Sequence, residues 1–361
     1  MWDKRFDTIV HEADPYNAEP APSALAGDDV TPVEVFYSRN HGPIPKLDKD
    51  EWRLHISGLV TTPQTLSLTD LSTQFPTHAV YATLQCAGNR RAGFNQVREI
   101  PGEDPWGPAA TSTAQWRGAR LADVLTAAGV TPNPTQHVAF SAPDISELAT
   151  PSQPYGGSIP LTKALSEEVL LAWGMNCQPL PRIHGGPVRL IVPGYIGARS
   201  IKWITALTVQ DHPSDNYFQA SAYRILPADT DPDTTQPGDG ISLSSIGLNC
   251  AVLSPDDGAT KPAGPLTLRG YALAGDDRTI ERVEVSLDRG HSWLPADLEP
   301  QLSTWTWRLW SLSCCVTPGP LHITVRAWDS TGSTHPESAA TLWNPKGYAN
   351  NSWAHLDLTV I

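Results

Sequence analysis

Positive charge, cysteine and long apolar runs are all scarce in this sequence. Its 361 residues carry 25 lysines and arginines against 38 aspartates and glutamates, a formal net charge of −13. That balance excludes a general nucleic-acid binder, which needs a basic face to replace the counterions of the phosphates. An anionic small molecule is not excluded, because a local cluster of arginines can oppose the global field. No run of about 18 apolar residues occurs, so nothing reads as a membrane-spanning helix and no membrane partner is expected. The start, Met1-Trp2-Asp3-Lys4-Arg5-Phe6-Asp7, lacks the apolar stretch of a secretory signal and has no twin-arginine pair. Five cysteines without a framework spacing favour a reducing compartment. The expected location is the cytoplasm by default, or the periplasm if a signal has been removed.

Motifs that would settle a chemistry outright are also missing. There is no GxGxxG, no P-loop, no HExxH and no CxxC. Without CxxCH, covalent haem is excluded. The run Gly156-Gly157-Ser158-Ile159-Pro160 fails as a nucleophile elbow, because Pro160 stands where the second glycine belongs. Cys314-Cys315 is an adjacent pair, a poor chelate, and its apolar strand context reads as core.

Proline is abundant instead. The 34 prolines exceed the usual share of about 5%, which implies many loops and edge strands and excludes a helical bundle. Up to about residue 212 the pattern is mixed. Leu121, Val124, Leu125 and Ala128 repeat at helical spacing and Gly129 stops the run, whereas Val188, Leu190 and Val192 alternate before Pro193-Gly194. Residues 226–240 are acidic and rich in breakers, and read as a linker. Beyond them come short alternating runs: Val283, Val285, Leu287; Trp305, Trp307, Leu309; Ile323, Val325, Ala327. These predict a β-sandwich of immunoglobulin type. The expected class is α+β, with a mixed α/β domain over residues 1–225 and an immunoglobulin-like domain over 241–361. Such a fold by itself implies no function.

Three segments concentrate unusual residues. They are Phe36-Tyr37-Ser38-Arg39-Asn40-His41-Gly42, then Thr83-Leu84-Gln85-Cys86-Ala87-Gly88-Asn89-Arg90-Arg91, then Met175 to Trp203 with His184-Gly-Gly-Pro-Val-Arg189 and Gly197-Ala-Arg199-Ser200-Ile201-Lys202. Each residue alone has a bland reading: a lone cysteine is usually a buried small hydrophobe, and an arginine pair is usually solvated. Together they read differently. Cys86 is followed by a small, permissive Ala-Gly-Asn turn and then by two arginines, whose charge favours a thiolate. One thiolate is a soft ligand that cannot hold a metal alone, so an organic cofactor would supply the other donors. The cationic and amide residues of the other segments suit a cofactor bearing phosphate.

This set, with Tyr155-Gly-Gly-Ser-Ile-Pro160 and the terminal Trp343-Asn-Pro-Lys346-Gly-Tyr-Ala-Asn-Asn-Ser-Trp353, resembles the sulfite oxidase family of molybdenum enzymes over nearly the whole chain. The resemblance implies one molybdopterin cofactor per chain, no haem, and Cys86 as the metal ligand. It implies cofactor contacts from Tyr37, Arg39, Asn40, His41, Asp144, His184, Arg189, Ser200, Ile201 and Lys202. The substrate pocket carries over as Arg39, Arg91, Trp106, Tyr223 and Lys346. Lys346 departs from the family's arginine: the charge is kept and the bidentate fork is lost.

The function so implied is oxidation of sulfite to sulfate by oxygen-atom transfer at a Mo-oxo centre. Electrons would leave to oxygen or to an external acceptor such as a cytochrome c. Arg39, Arg91 and Lys346 would hold the dianion, and Tyr223 would donate a hydrogen bond near the reacting oxygen. Nitrate-reductase-type or S-oxide-reductase-type transfer is the alternative on the same cofactor. A non-catalytic binding protein using the sandwich is the alternative from another class. The family's sandwich implies a homodimer. Trp305, Trp307 and Trp310 would lie in its interface or, as alternate residues of one strand, in the sandwich core.

Overall fold

The computed structural model describes residues 2–361. Its first half is built on two five-stranded sheets. One runs in the order Gln178–Pro179, Leu170–Met175, Thr111–Arg120, Thr77–Gln85, with Arg189–Ile191 also pairing with Leu170–Met175. The other runs Gln64–Ser67, Arg53–Gly58, Ala206–Gln210, His137–Ser146, Gln153–Pro160, antiparallel except where Ala206–Gln210 lies parallel to Arg53–Gly58. Helices are few and short. The predicted one forms over Leu121–Ala127, with Leu121, Val124, Leu125 and Ala128 fully buried. Gly129 ends it at φ +73°, where a side chain would be strained and its Cβ would strike the Thr61 hydroxyl.

The strand expected around 188–192 forms over Arg189–Ile191, but every residue from Val188 to Val192 is buried. Alternating apolar character there concealed a strand covered on both faces.

Beyond residue 248 two sheets face each other, in line with the sandwich expectation. The first has the order Asn249–Ser254, Gly264–Leu273, Arg308–Val316, Asp297–Leu298. The second has the order Thr260–Lys261, Ala354–Val360, Gly319–Asp329, Ile280–Ser286, Leu294–Pro295. Val283, Val285, Ile323, Val325, Leu356 and Leu358 fill the space between them at a period of two.

Residues 226–240, read as a linker, form a closed excursion from a short hairpin, since Arg224–Ile225 pairs with Ile241–Ser242. The Arg224 guanidinium staples it by donating to the carbonyls of Gly238, Asp239 and Gly240. Two expectations need correction. Trp305 and Trp307 precede the strand Arg308–Val316 and join the two halves of the chain instead. The Trp307 N–H donates to the Thr83 hydroxyl at 2.8 Å and its indole donates to the Asp29 carbonyl at 3.0 Å, while Trp310 alone sits in the sandwich core. Cys315 is exposed and Cys314 half-buried at the edge of the sandwich core, so the pair is not core as a whole. Among the described residues, no helix is long and apolar enough to cross a membrane.

Candidate active site

The strand Thr77–Gln85 delivers Cys86 into a tight turn. The Asn89 N–H donates to the Cys86 carbonyl at 3.0 Å, and Arg90 adopts φ 64°. Gly88 leaves room there for the Arg91 guanidinium, which a Cβ would approach to 2.7 Å and displace. The thiol is buried and accepts from the Gly88 N–H at 3.4 Å. Burial pushes its pKa up in spite of Arg91 and Arg39, so the arginine-stabilised thiolate expected from sequence is not the resting form. A metal would have to displace that proton.

A second wall is the extended segment from Phe36 to His41. The Tyr37 N–H donates to the Ser112 hydroxyl at 3.1 Å, and the Asn40 N–H to the Asn17 side-chain oxygen at 2.6 Å. The Lys202 ammonium donates to the Arg39 carbonyl at 2.8 Å and to the Asn40 side chain. The third wall turns at Gly185, φ +109°, where a Cβ would crowd both Arg189 and Lys202. The Arg189 guanidinium donates to the carbonyls of His184 and Ser200, both at 2.8 Å.

These walls enclose an inner cavity. Cys86, Tyr37, Arg39, Asn40, His41, Asp144, His184, Arg189, Ser200, Lys202 and Tyr223 all line it. Its cations are Arg39, Arg189 and Lys202, and Asp144 is its one carboxylate. Burial and the neighbouring Arg189 hold the Lys202 ammonium well below its ordinary pKa. Burial also raises the Asp144 carboxyl, with Lys202 opposing. The Asp144 Oδ1 and the Arg189 Nε are buried without a partner among the described residues. A protein interior leaves such groups unpaired where a ligand completes them. Tyr223 and Arg39 also line a wider outer cavity of about 940 Å³, with Lys346 and Tyr348. Glu12, Asp14, Glu103, Asp104 and Glu147 make that mouth acidic. Lys346 is half-buried and engaged in no hydrogen bond or ion pair among the described residues.

Three predicted residues stand elsewhere. Arg91 is buried but lines neither cavity: it pairs with Glu103 at 3.2 Å and donates to the carbonyls of Asp104 at 2.8 Å and Gly347 at 3.3 Å. Trp106 is fully buried beside Cys86 in an apolar cluster, its ring edge-on to His11 at 4.6 Å, and lines neither cavity. The Ile201 side chain is core and its carbonyl accepts from the Leu190 N–H at 2.8 Å. Among the described residues, no group of three His, Cys, Asp or Glu side chains is placed to hold a metal, so Cys86 would be a lone protein ligand.

Residues 41–218 match the family described as oxidoreductase molybdopterin binding domain, and residues 242–361 match the Mo-co oxidoreductase dimerisation domain. The sulfite oxidase of Arabidopsis thaliana is 36% identical over 95% of this chain and 92% of its own length. The chain belongs to the sulfite oxidase family. The mitochondrial sulfite oxidase of Rattus norvegicus is 40% identical over 98% of this chain, which spans about 65% of that relative's length. A nitrate reductase [NAD(P)H] of Hordeum vulgare is 35% identical over 99% of this chain and 43% of its own length. Among solved structures, the sulfane dehydrogenase SoxCD of Paracoccus pantotrophus is similar at TM-score 0.80 and 26% identity. That match covers 96% of this chain and 85% of the other.

The side chains lining the inner cavity fit the chemistry of the sulfite oxidase family's cofactor. A lone soft ligand, uncompensated cations and unpaired buried donors and acceptors are what a phosphorylated, nitrogen-rich group would complete. In this sulfite oxidase family member, sequence reasoning missed Lys4, whose ammonium touches the His184 ring at 2.9 Å. It also missed Tyr155, stacked on His41 with ring centroids 4.5 Å apart, and Tyr348, stacked on Tyr223 at 5.3 Å. Tyr155 and Tyr348 lay inside quoted motifs, and their aromatic character beside glycine was the available signal. Lys4 carried none, since it lies in a charged stretch that reads as solvated.

Proposed function

We propose that the chain binds one molybdopterin cofactor, without haem, through Cys86 and oxidises sulfite to sulfate. The observation that carries this reading is the Cys86 thiol sharing one cavity with Arg39, Arg189 and Lys202 against a single carboxylate. When bound, the cofactor supplies the two-electron oxygen-atom transfer by which sulfite and water become sulfate, with two protons and two electrons released. The protein's part is binding, orientation and charge. Arg189 and Lys202 would neutralise the phosphate, and Asp144, His184 and Asn40 would meet the polar ring atoms. Arg39 and Tyr223 stand where the inner and outer cavities meet, so the anion is received there. Lys346 counters the acidic mouth on the way in. Arg91, neutralised by Glu103, supports the loop carrying Gly347 and Tyr348 rather than the anion itself. Electrons leave to oxygen or an external acceptor such as a cytochrome c. Residues 1–225 form the catalytic unit, and residues 241–361 pair two chains.

The test is sulfite-dependent ferricyanide reduction by purified protein whose molybdenum content is measured on the same sample. Saturable turnover is expected. No turnover with sulfite in fully loaded protein, and turnover with nitrate or an S-oxide, would overturn the substrate assignment. Folded protein that takes up no molybdenum would overturn the cofactor assignment.

A further inference from the structure

Residues 2–5 pack behind two residues that line the inner cavity, Phe36 and His184. The Arg5 N–H donates to the Glu34 carbonyl at 3.2 Å, and the Trp2 ring lies 5.3 Å from the Arg182 guanidinium. Between them, the Lys4 ammonium reaches the Val33 carbonyl at 2.8 Å, the Phe36 carbonyl at 2.7 Å and the His184 Nε2 at 2.9 Å. An ammonium has three N–H donors and no lone pair, so these contacts use all of them and the third requires an unprotonated Nε2. Burial, with Lys4, Lys202 and Arg189 nearby, keeps the His184 ring neutral. The ring proton therefore lies on Nδ1, a tautomer set by the hydrogen bond at the other nitrogen.

We propose that Lys4 is a positioning residue of the cofactor site, fixing His184 in its Nδ1–H tautomer so that the ring offers a donor to the pterin. The inference rests on the molybdopterin reading and on no assumption about substrate. Beyond Lys4, the His184 ring faces the Val33 carbonyl, which the Lys4 ammonium itself engages at 2.8 Å; the His184 main-chain N–H donates to the Pro181 carbonyl at 3.0 Å and its carbonyl accepts from Arg189. Phe36 packs edge-on against the ring at 5.1 Å, which fixes the plane but not the proton. A methionine at position 4 would cover the same surface without desolvating a charge, so the ammonium's effect lies in what it contacts. That desolvation lowers the Lys4 pKa to about 7, with Glu34 opposing.

The experiment is NMR of the molybdenum-loaded enzyme labelled with ¹⁵N-histidine, at about pH 6 where Lys4 is charged. The His184 signals are identified by their loss in His184→Phe. Expected are a protonated Nδ1 and a bare Nε2 in the native enzyme, and an Nε2–H population in Lys4→Met. Loss of cofactor on dilution, followed by pterin fluorescence, should quicken about tenfold in Lys4→Met, the scale of one hydrogen bond. The same substitution in a His184→Phe background should change it less than twofold. A protonated Nε2 in the native enzyme would overturn the proposal. So would equal acceleration in both backgrounds, which would reduce Lys4 to a clamp on the Val33 and Phe36 main chain. Should Lys4→Met fail to fold, the native spectrum decides alone. Neither readout uses sulfite, so an inactive but loaded enzyme would leave the proposal standing.

Discussion

The Tyr223 hydroxyl and the His41 Nε2 are hydrogen-bonded at 2.5 Å, with Tyr155 stacked behind the imidazole. Burial, with Arg39 and Lys202 nearby, holds His41 well below its ordinary pKa, so the ring is neutral at about pH 7. When its Nε2 carries the proton and donates to the phenol oxygen, the Tyr223 O–H is free to donate into the cavity. Tyr223→Phe should then lower kcat about 10- to 100-fold, since one positioned donor is lost. His41→Asn should lower it less. The double variant should be no worse than Tyr223→Phe alone, because His41 acts through the hydroxyl. Steady-state kinetics on molybdenum-matched samples checks this, and additive losses would separate the two roles.

Arg91 lines neither cavity and is held by Glu103 and the carbonyls of Asp104 and Gly347 at the edge of the outer one. Arg91→Met should therefore act first on stability. Its partner Glu103 keeps 22% side-chain exposure, which discounts the cost of breaking a buried pair to about 2–3 kcal/mol. Denaturant unfolding should register that loss, and Glu103→Gln in the same chain should recover part of it. A fully stable Arg91→Met enzyme with a large rise in KM for sulfite would return Arg91 to the anion site.

What was legible in the sequence follows from what is local. The Cys86 turn, the glycine beside His184 and the segment around Arg39 are contiguous, so backbone permissiveness and side-chain chemistry appear together in the string. The resemblance then placed Asp144 and Tyr223 on the same cavity from separate segments. The Arg91 pairing with Glu103 was not legible, because Glu103 comes from a loop whose return toward the Cys86 turn no periodicity encodes. Trp305 and Trp307 alternate like strand residues yet join the two domains, because burial against another domain imposes the same pattern as burial against a facing sheet. Lys4 was invisible for the opposite reason: a charge among charges predicts solvent, and only the fold brings it to His184.

Lys346 lines the outer cavity, with no hydrogen bond or ion pair among the described residues. A free, half-solvated cation of this kind attracts the incoming anion and its transition state alike. Lys346→Ala should raise KM for sulfite about fivefold to tenfold while kcat stays within about twofold. The native KM should rise with ionic strength and the variant's much less, because screening removes what the substitution already removed. Lys346→Arg should lower KM by restoring a planar fork. Kinetics across a salt series decides it; a KM indifferent to both substitutions would leave position 346 outside the anion's path.

His335 is buried, and its Nε2 accepts the Ala327 N–H at 3.1 Å. Burial, with Arg90 nearby, lowers its pKa from 6.5 to about 3. The unfolded chain thus binds a proton that the fold refuses in the window between these values. Stability from this group is whole above about pH 6.5 and falls as pH drops toward 3. At about pH 5 the loss is on the order of 2 kcal/mol, at about 1.4 kcal/mol per unit. His335→Gln keeps an acceptor for Ala327 and removes the titration, so its stability should be flatter over that range by a similar amount. The check is denaturant unfolding of both proteins at about pH 7 and pH 5. Parallel losses would assign the acid sensitivity to other groups and leave His335 protonated no more readily in the unfolded chain than in the fold.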